Sequence, residues 1–322
     1  MGSRMTQYAI TALLVVVLNF FLPRLMPGDP LANLDSPDAL PIPLSDDQRA
    51  RIIAYYGLDK PPARQFADYI MGLARGDLGW SISCNAPVAQ VLAVRLRWTL
   101  SLVGIATTLN VLLGIVLGTY SAWHRQQPID SILLTGSAIL GSFPAFFLGM
   151  MLVVLLGYRL GWFPLGGAIS PTLAAATGWP RALDIAHHMA LPVLALVLTG
   201  VSDIYYLTRN AMVQVLGEGY ILAARAKGLS ERTLRLRHAL PNALLPIISL
   251  VAMRFGFIVM GAMMIEVTFA YPGMGSAIVE ASVARDYPLL QGAFLVTMLA
   301  VLLANMVGDL AHRLLDPRVR TA

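Results

Sequence analysis

Residues 99–122 read TLSLVGIATTLNVLLGIVLGTYSA, an apolar run that contains no Asp, Glu, Lys or Arg. A helix rises about 1.5 Å per residue and the hydrocarbon core of a bilayer is about 30 Å thick, so a helix over this run is long enough to cross a membrane. The run is too long for a barrel strand, and its polarity does not alternate. It therefore predicts a transmembrane α-helix.

Five further segments of this kind follow or precede it in a chain that is 57% hydrophobic and only 13% charged. The six predicted spans are 8–26, 99–122, 131–156, 189–207, 244–265 and 289–310. This composition lies outside the range of soluble globular domains. The predicted fold class is an all-α integral membrane protein with six transmembrane helices. The first run is longer than the apolar part of a signal peptide and no small-residue cleavage site follows it, so we expect it to be retained.

The positions of Lys and Arg predict the orientation of these helices. With the N-terminus inside, the cytoplasmic loops are 1–7, 123–130, 208–243 and 311–322. Together they hold eleven Lys and Arg residues, whereas the short outer loops hold only Arg159, Arg181 and Arg285. By the positive-inside rule both termini are cytoplasmic. The net charge of +5 follows from this topology, so no nucleic-acid partner is needed to explain it.

A long segment separates the first two spans. Residues 31–98 carry charges of both signs, and turn and cap signals predict short helices over 46–56 and 65–73. The segment has no obvious apolar core of its own, so we expect it to pack on the membrane helices or on a partner. The predicted organisation is the N-terminus and first span over 1–30, a helical outer segment over 31–98, and a five-helix membrane core over 99–322.

The inner loop 208–243 combines basic charge with small residues and a proline. It contains Gly217-Glu-Gly-Tyr-Ile-Leu-Ala-Ala-Arg-Ala-Lys-Gly228 and, further on, His238-Ala-Leu-Pro241. Ala223 and Ala224 would leave a shallow surface on a short helix that a partner can approach closely. Gly228 permits a turn that a bulky residue resists, and Pro241 constrains the angle at which the chain returns to the membrane. The alternative is a solvated basic loop on the membrane surface.

This loop resembles the cytoplasmic loop of binding-protein-dependent ABC importer permeases, whose pattern is Glu-Ala-Ala, three residues, Gly, nine residues and Ile-x-Leu-Pro. The spacing is the same at every step here, with Leu222 in place of Glu and His238 in place of Ile. Further motifs along the chain are similar to the dipeptide, oligopeptide and nickel importer permeases. They are Pro27-Gly-Asp-Pro30, Gly57-Leu-Asp-Lys-Pro61, Gly76-Asp-Leu-Gly79, Gly161-Trp-Phe-Pro164 with Gly167, Glu266 with Phe269 and Pro272-Gly-x-Gly275, and Asp316-Pro-Arg318. Each motif alone has low specificity, but their order covers nearly the whole chain.

The resemblance implies a permease subunit of an ATP-driven importer in the bacterial inner membrane, which works by alternating access and forms half of the translocation pathway. Residues 31–98 would then be periplasmic. The residues implied to contact the ATPase are Gly217, Glu218, Tyr220, Ala223, Ala224, Arg225, Lys227, Gly228, Leu240 and Pro241. The implied partners are a second homologous permease subunit, two ATPase subunits, an extracytoplasmic solute-binding protein and membrane lipid. The implied solutes are peptides first, with nickel chelates, other metallophores, heme or oligosaccharides as alternatives.

The chain itself is predicted to have no enzymatic activity. A Walker A loop needs Gly-Lys followed by Ser or Thr, and neither of the two lysines, Lys60 and Lys227, stands in that context. ATP and Mg therefore belong on the partner ATPase subunits, and we expect no catalytic residue, cofactor or metal site in this chain. The single cysteine, Cys84, excludes an internal disulfide. His187 and His188 are adjacent and would point to different faces of a helix, so we expect structural roles for them.

Two charged residues of the fifth span are candidates for the substrate pathway. Arg254 lies about 15 Å into the predicted helix, where a positive charge costs about 2.5–3.5 kcal/mol of insertion free energy. It either lines the pathway and attracts an anionic group such as a peptide carboxylate, or forms a buried ion pair or an inter-subunit hydrogen bond. Glu266, at the outer end, either gates the mouth of the pathway or ends the helix at the interface.

Two other classes of protein fit the residues less well. An ion-coupled secondary transporter needs acidic residues or interrupted helices at mid-depth in the membrane, but Asp203, Glu266 and Asp309 lie near predicted helix ends. An intramembrane hydrolase needs a nucleophile with a base, or paired aspartates, facing one cavity. No such set of residues stands out in the sequence.

Overall fold

A computed structural model describes residues 2–25, 53, 59–244, 247 and 262–315, and these are mainly helical. The described helices are α1 Gly2–Arg24, α2 Pro62–Ala74, α3 Val88–Trp123, α4 Pro128–Ser142, α5 Ala145–Leu152, α6 Trp179–Leu216, α7 Gly219–Ala226, α8 Glu231–Thr233, α9 Leu240–Ala243, α10 Met263–Thr268, α11 Met274–Ala284 and α12 Tyr287–Leu315. Two π-helical turns, Val153–Arg159 and Leu234–Ala239, continue α5 and α8, and a 3-10 turn covers Pro171–Leu173. Strands β1 Trp80–Ser81 and β2 Ala86–Pro87 form an antiparallel hairpin.

The chain divides into two compact units. The first comprises Met1–Trp98 and Gly273–Leu302, and the second comprises Thr99–Pro272 and Leu303–Ala322. In the first unit, the fully buried side chain of Phe20 joins α1 to α2, because its ring lies 5.0 Å from that of Phe66 in an edge-on contact. The neighbouring Asn19 amide donates to the carbonyl oxygen of Gln291 on α12 at 2.8 Å.

Helix α2 confirms the helix predicted over 65–73. It begins at Pro62, a residue whose fixed φ suits the first turn, and the chain leaves it through Gly76, at a φ of 75°. Lys60 forms an exposed ion pair with Asp68 at 2.6 Å, and its hydrogen bond holds the pKa of the Asp68 carboxyl below its usual range. The helix predicted over 46–56 lies outside the described residues, apart from residue 53.

The β-hairpin of the first unit, which the sequence patterns did not predict, is held by the buried carboxylate of Asp286. One carboxylate oxygen accepts hydrogen bonds from the Ser81 hydroxyl at 2.6 Å and from the Ser83 amide at 2.9 Å. The other accepts from the Leu289 amide at 3.0 Å and so caps the N-terminus of α12. A single carboxylate therefore fixes both the hairpin and the start of the helix.

Close approach of backbones organises the second unit. A Cβ atom added to Gly118 of α3 would lie 2.7 Å from the Thr208 Cβ and 2.8 Å from the Tyr205 carbonyl oxygen of α6. Gly141 of α4 faces Ser202 of α6, which would lie 2.9 Å from an added Cβ. Small residues at such crossings are typical of helices packed within membranes. The long helix α6 is therefore packed tightly against α3 and α4.

The third predicted span, 131–156, is bent. Helix α4 ends at Ser142, Phe143 is extended, and the chain turns by 94° into Ala145–Arg159. Pro144 at the break cannot continue the hydrogen bonding of α4. Gly141, Pro144 and Gly149 are residue types that indicate close packing or a kink in a membrane helix, and both are observed, because a Cβ atom added to Gly149 would lie 3.0 Å from the ring of Phe269.

Two described helices, α3 and α6, are long and apolar enough to cross a bilayer, and the bent pair of 128–142 with 145–159 would make a third span. Shorter apolar helices cover Thr6–Phe21, Met274–Ala284 and Tyr287–Leu303. Most of the predicted span 244–265 lies outside the described residues. The helical fold class is confirmed, and the count of six spans stays a prediction.

Candidate functional site

The predicted docking segment begins immediately after α6. This helix continues past the predicted limit at residue 207 to Leu216 and ends at Gly217. Residues 208–216 contain no Gly or Pro, so the helix can continue beyond the apolar run. Helix α7, Gly219–Ala226, then starts after Glu218, which has extended backbone angles. The first nine residues of the predicted cytoplasmic loop 208–243 are thus helical and continuous with the membrane helix.

One residue anchors α7 to the rest of the second unit. The side chain of Ile221 is fully buried in a group that also contains Ala122 of α3, Met212 of α6, and Ala239 and Ala243 of the returning chain. We call these five residues the anchor cluster. Burying an Ile side chain contributes about 1.5–3 kcal/mol. The position of α7 is therefore determined by apolar packing rather than by charge.

The opposite face of α7 is open. Tyr220 is 44% exposed and Leu222, the residue that replaces Glu in the family pattern, is 57% exposed. Other predicted docking residues on the exposed surface are Gly217, Glu218, Ala223, Arg225, Lys227 and Gly228. Ala224 is half-buried beneath them. Because alanine side chains lie between larger exposed ones, the face has the shallow profile expected from the sequence.

The chain leaves α7 through a turn at Gly228, whose φ of 79° confirms the predicted glycine turn. Ser230 then caps α8, since its hydroxyl accepts a hydrogen bond from the Thr233 amide. Arg225 and Glu231 form an ion pair at 3.2 Å across this turn, with both side chains at least half exposed. Such a pair stabilises the turn little.

A polar contact also joins α7 to the chain that returns to the membrane helices. Asn242 Nδ2 donates to the Tyr220 hydroxyl at 3.0 Å and to the His238 carbonyl oxygen at 2.8 Å. Pro241 is exposed in the first turn of α9, and the half-buried Leu240 packs against the anchor cluster. We call the exposed face of α7 together with Pro241 the docking surface, after the role that the sequence predicts for these residues.

A polar cluster at the ends of α3, α4 and α6 was missed by sequence reasoning. The buried Asp130 carboxylate receives both Nε and Nη2 of Arg209, at 2.7 Å and 2.8 Å. It also accepts a hydrogen bond from the Ser121 hydroxyl, which lies 2.8 Å from the hydroxyl of Tyr205. We call Ser121, Asp130, Tyr205 and Arg209 the helix-end cluster. The sequence signal for this cluster was the pair of opposite charges, Asp130 and Arg209, that lie beside predicted span ends. They stand 79 positions apart in the chain, so the sequence did not show that they meet.

Of the two pathway candidates, the structure describes Glu266 and leaves Arg254 outside the described residues. Glu266 is fully buried in α10, and one of its carboxylate oxygens accepts a hydrogen bond from the Thr99 hydroxyl at 2.5 Å. The Glu266 side chain therefore lies inside the second unit.

The histidines have separate local contacts. His187 Nε2 lies 2.8 Å from the Trp162 carbonyl oxygen, whereas His188 is buried beside Asp184 with 3.6 Å between Nδ1 and Oδ1. Asp184 in turn accepts hydrogen bonds from Ser170. Within the described residues, no group of three or more His, Cys, Asp or Glu side chains could hold a metal ion.

Known proteins resemble this chain over most of its length. Residues 114–321 match the family described as binding-protein-dependent transport system inner membrane component. The chain is 32% identical to the dipeptide transport system permease protein DppB of Escherichia coli (strain K12), with 95% of this chain and 94% of that protein covered. It is 31% identical to the oligopeptide transport system permease protein AppB of Bacillus subtilis (strain 168), with 98% of each covered.

A solved structure of the MetNI methionine ABC transporter in inward-facing conformations shares the fold. Its TM-score is 0.56 at 16% sequence identity, and 71% of this chain and 97% of that chain are covered. From these similarities, the chain belongs to the family of binding-protein-dependent transport system inner membrane components and is a permease subunit of an ABC importer.

Proposed function

We propose that this permease forms half of a translocation pathway for peptides or a similar small solute, which an extracytoplasmic solute-binding protein delivers. The observation that carries the proposal is whole-length similarity to two permeases named for dipeptide and oligopeptide transport. Nickel chelates or other metallophores are the alternative solutes of the same family. A second homologous permease would supply the other half of the pathway.

The proposed topology has six transmembrane helices, both termini in the cytoplasm and residues 31–98 in the periplasm, in a multi-pass protein of the bacterial inner membrane. The concentration of Lys and Arg in the predicted inner loops supports this orientation. The bilayer-length helices α3 and α6 support at least two of the spans. In this topology the docking surface faces the cytoplasm.

The docking surface would bind one of two ATPase subunits, which carry ATP and Mg and perform the hydrolysis. A docking helix must be open on one face and fixed on the other, because a motor can move a membrane helix only through a rigid connection. Helix α7 meets both conditions, with Leu222 exposed and Ile221 buried in the anchor cluster. Closure of the ATPase subunits would then switch the permease from inward-open to outward-open.

Arg254 and Glu266 are proposed to have different roles. For Arg254 we retain the pathway role, in which its charge attracts an anionic group of the solute. For Glu266 the hydrogen bond to Thr99 and the complete burial favour a structural role at the end of the span.

The proposed function is tested by transport into proteoliposomes that contain the permease with its co-purified partner permease and ATPase subunits. With the solute-binding protein present, we expect uptake of a radiolabelled dipeptide that requires ATP and is competed by unlabelled dipeptide. Uptake without any ATPase subunit would contradict the importer and favour an ion-coupled transporter. ATP-dependent uptake of a nickel chelate, with no dipeptide uptake, would contradict the peptide assignment.

In the same assay, normal uptake and assembly of Arg254→Gln would contradict its pathway role.

A further inference from the structure

We propose that the helix-end cluster is a positioning device that makes the docking helix and the cytoplasmic ends of α3, α4 and α6 move as one body. This inference rests on the proposed coupling role of α7. Asp130 and Arg209 are its central residues, and neither belongs to the docking surface.

The ion pair has a fixed geometry. Two nitrogens of the Arg209 guanidinium meet the two carboxylate oxygens of Asp130 at 2.7 Å and 2.8 Å, in a two-pronged arrangement that a single point charge could not make. The Asp130 side chain is 5% exposed and that of Arg209 is 15% exposed. Solvent therefore screens the pair little, and neither side chain can leave without stranding the other charge in a buried position.

Hydrogen bonds extend this arrangement to all three helices. The Ser121 hydroxyl of α3 donates to Asp130. Since that hydrogen is used, the Tyr205 hydroxyl of α6 donates to the Ser121 oxygen, 2.8 Å away. The Gln126 amide, in the loop between α3 and α4, donates to the second carboxylate oxygen at 3.2 Å. The Asp130 carboxylate is thus the common acceptor for groups on α3, the connecting loop and α6.

The helix-end cluster adjoins the anchor cluster that holds α7. Ala122 follows Ser121 on α3, and Met212 lies about one turn after Arg209 on α6. Ala122 and Met212 both belong to the same buried cluster as Ile221 of α7. A force on α7 therefore acts first on two helix ends whose relative position is determined by Asp130.

The energetics favour a positioning role over a purely stabilising one. Removing two charges from water costs about as much free energy as their attraction returns, and a well-packed apolar pair is often as stable. The two-pronged pair instead holds one relative orientation of the helix ends. Loss of the pair would leave the helices folded and in contact, but with freedom to slide when α7 is moved.

The test uses the complete transporter in proteoliposomes and measures the solute imported for each ATP hydrolysed. Asp130→Asn keeps the shape of the side chain and removes the charge, so we expect ATP hydrolysis to persist while the import ratio falls at least about fivefold. Ser121→Ala removes one hydrogen bond and keeps the ion pair, so a smaller fall is expected. Glu280→Gln, which removes the exposed ion pair with Arg95, is the matched control and should keep the wild-type ratio.

Each outcome decides the proposal. A wild-type ratio in an assembled Asp130→Asn transporter would overturn it, whatever the ratio of Ser121→Ala, as would an equal fall in the Glu280→Gln control. If Asp130→Asn does not assemble, Ser121→Ala carries the test, and a wild-type ratio in that variant overturns the proposal. Absence of ATP-dependent import in the wild-type transporter would instead contradict the proposed function, so the two failures are distinguishable.

Discussion

Gly118 lies where α3 crosses α6, and its lack of a side chain permits the observed helix spacing. An added Cβ would approach the Thr208 Cβ and the Tyr205 carbonyl oxygen to 2.7 Å and 2.8 Å, distances at which something must shift. Overpacking of this kind costs about 1–3 kcal/mol. We therefore expect Gly118→Ala to lower the midpoint of thermal unfolding in detergent.

Gly104 provides a control on the same helix. Apart from its own helix, no described residue has an atom within 4 Å of the position that its Cβ would occupy. Alanine is favoured over glycine inside a helix by about 0.5–1 kcal/mol. Gly104→Ala should therefore match or exceed the wild-type midpoint. A Gly118→Ala midpoint equal to that of Gly104→Ala would contradict the close crossing of α3 and α6.

At the scale of elements, two neighbouring residues of α7 have different proposed roles, one in anchoring the helix and one in contacting the ATPase. Ile221 is buried in the anchor cluster, and its truncation to Ala should cost about 2–5 kcal/mol of local stability. We expect Ile221→Ala to accelerate amide hydrogen exchange across α7, measured by mass spectrometry of the assembled transporter. Leu222 is 57% exposed, so Leu222→Ala should leave this exchange unchanged and weaken retention of the ATPase during purification.

The reverse pattern would contradict this division. If Leu222→Ala accelerated exchange as much as Ile221→Ala, the exposed face of α7 would be part of its anchor. If neither variant changed ATPase retention, α7 would not be the docking element.

Structural features that follow from one residue or from its neighbours in the chain were predicted from the sequence. Features that depend on contacts between residues far apart in the chain were not predicted. The turn at Gly228 and the break at Pro144 follow from properties of single residues. The ion pair that joins α6 to α4 was not predicted, because Arg209 and Asp130 lie 79 positions apart in the chain. The hairpin around Ser81 was missed for the same reason, since its acceptor Asp286 lies 205 positions away.

The candidate site shows the same limit. Residue spacing identified the docking segment and its turn, because the pattern is continuous in the chain. It did not identify Ile221 as the anchor, since only the fold brings Ala122, Met212 and Ala239 against it. The sequence analysis counted Arg209 only as one of the basic residues that indicate a cytoplasmic loop. In the structure, Arg209 forms an ion pair with the buried Asp130.

At the scale of the whole molecule, the proposed source of energy is a motor carried by partner ATPase subunits. The two lysines of the permease, Lys60 and Lys227, stand outside any Walker A context. The docking surface on α7 is thus the proposed connection between ATP hydrolysis and movement of the helices. The outer turn at Leu165, which is 54% exposed, is proposed to lie on the opposite side of the membrane.

Site-specific photo-crosslinking in the assembled transporter tests this claim most directly. A photoreactive amino acid is placed at position 223 on the docking surface or, as a control, at position 165 in the outer turn. The account predicts an adduct with the ATPase subunit from position 223 and none from position 165. An ATPase adduct from position 165, or none from position 223 in a transporter that hydrolyses ATP and imports solute, would contradict it.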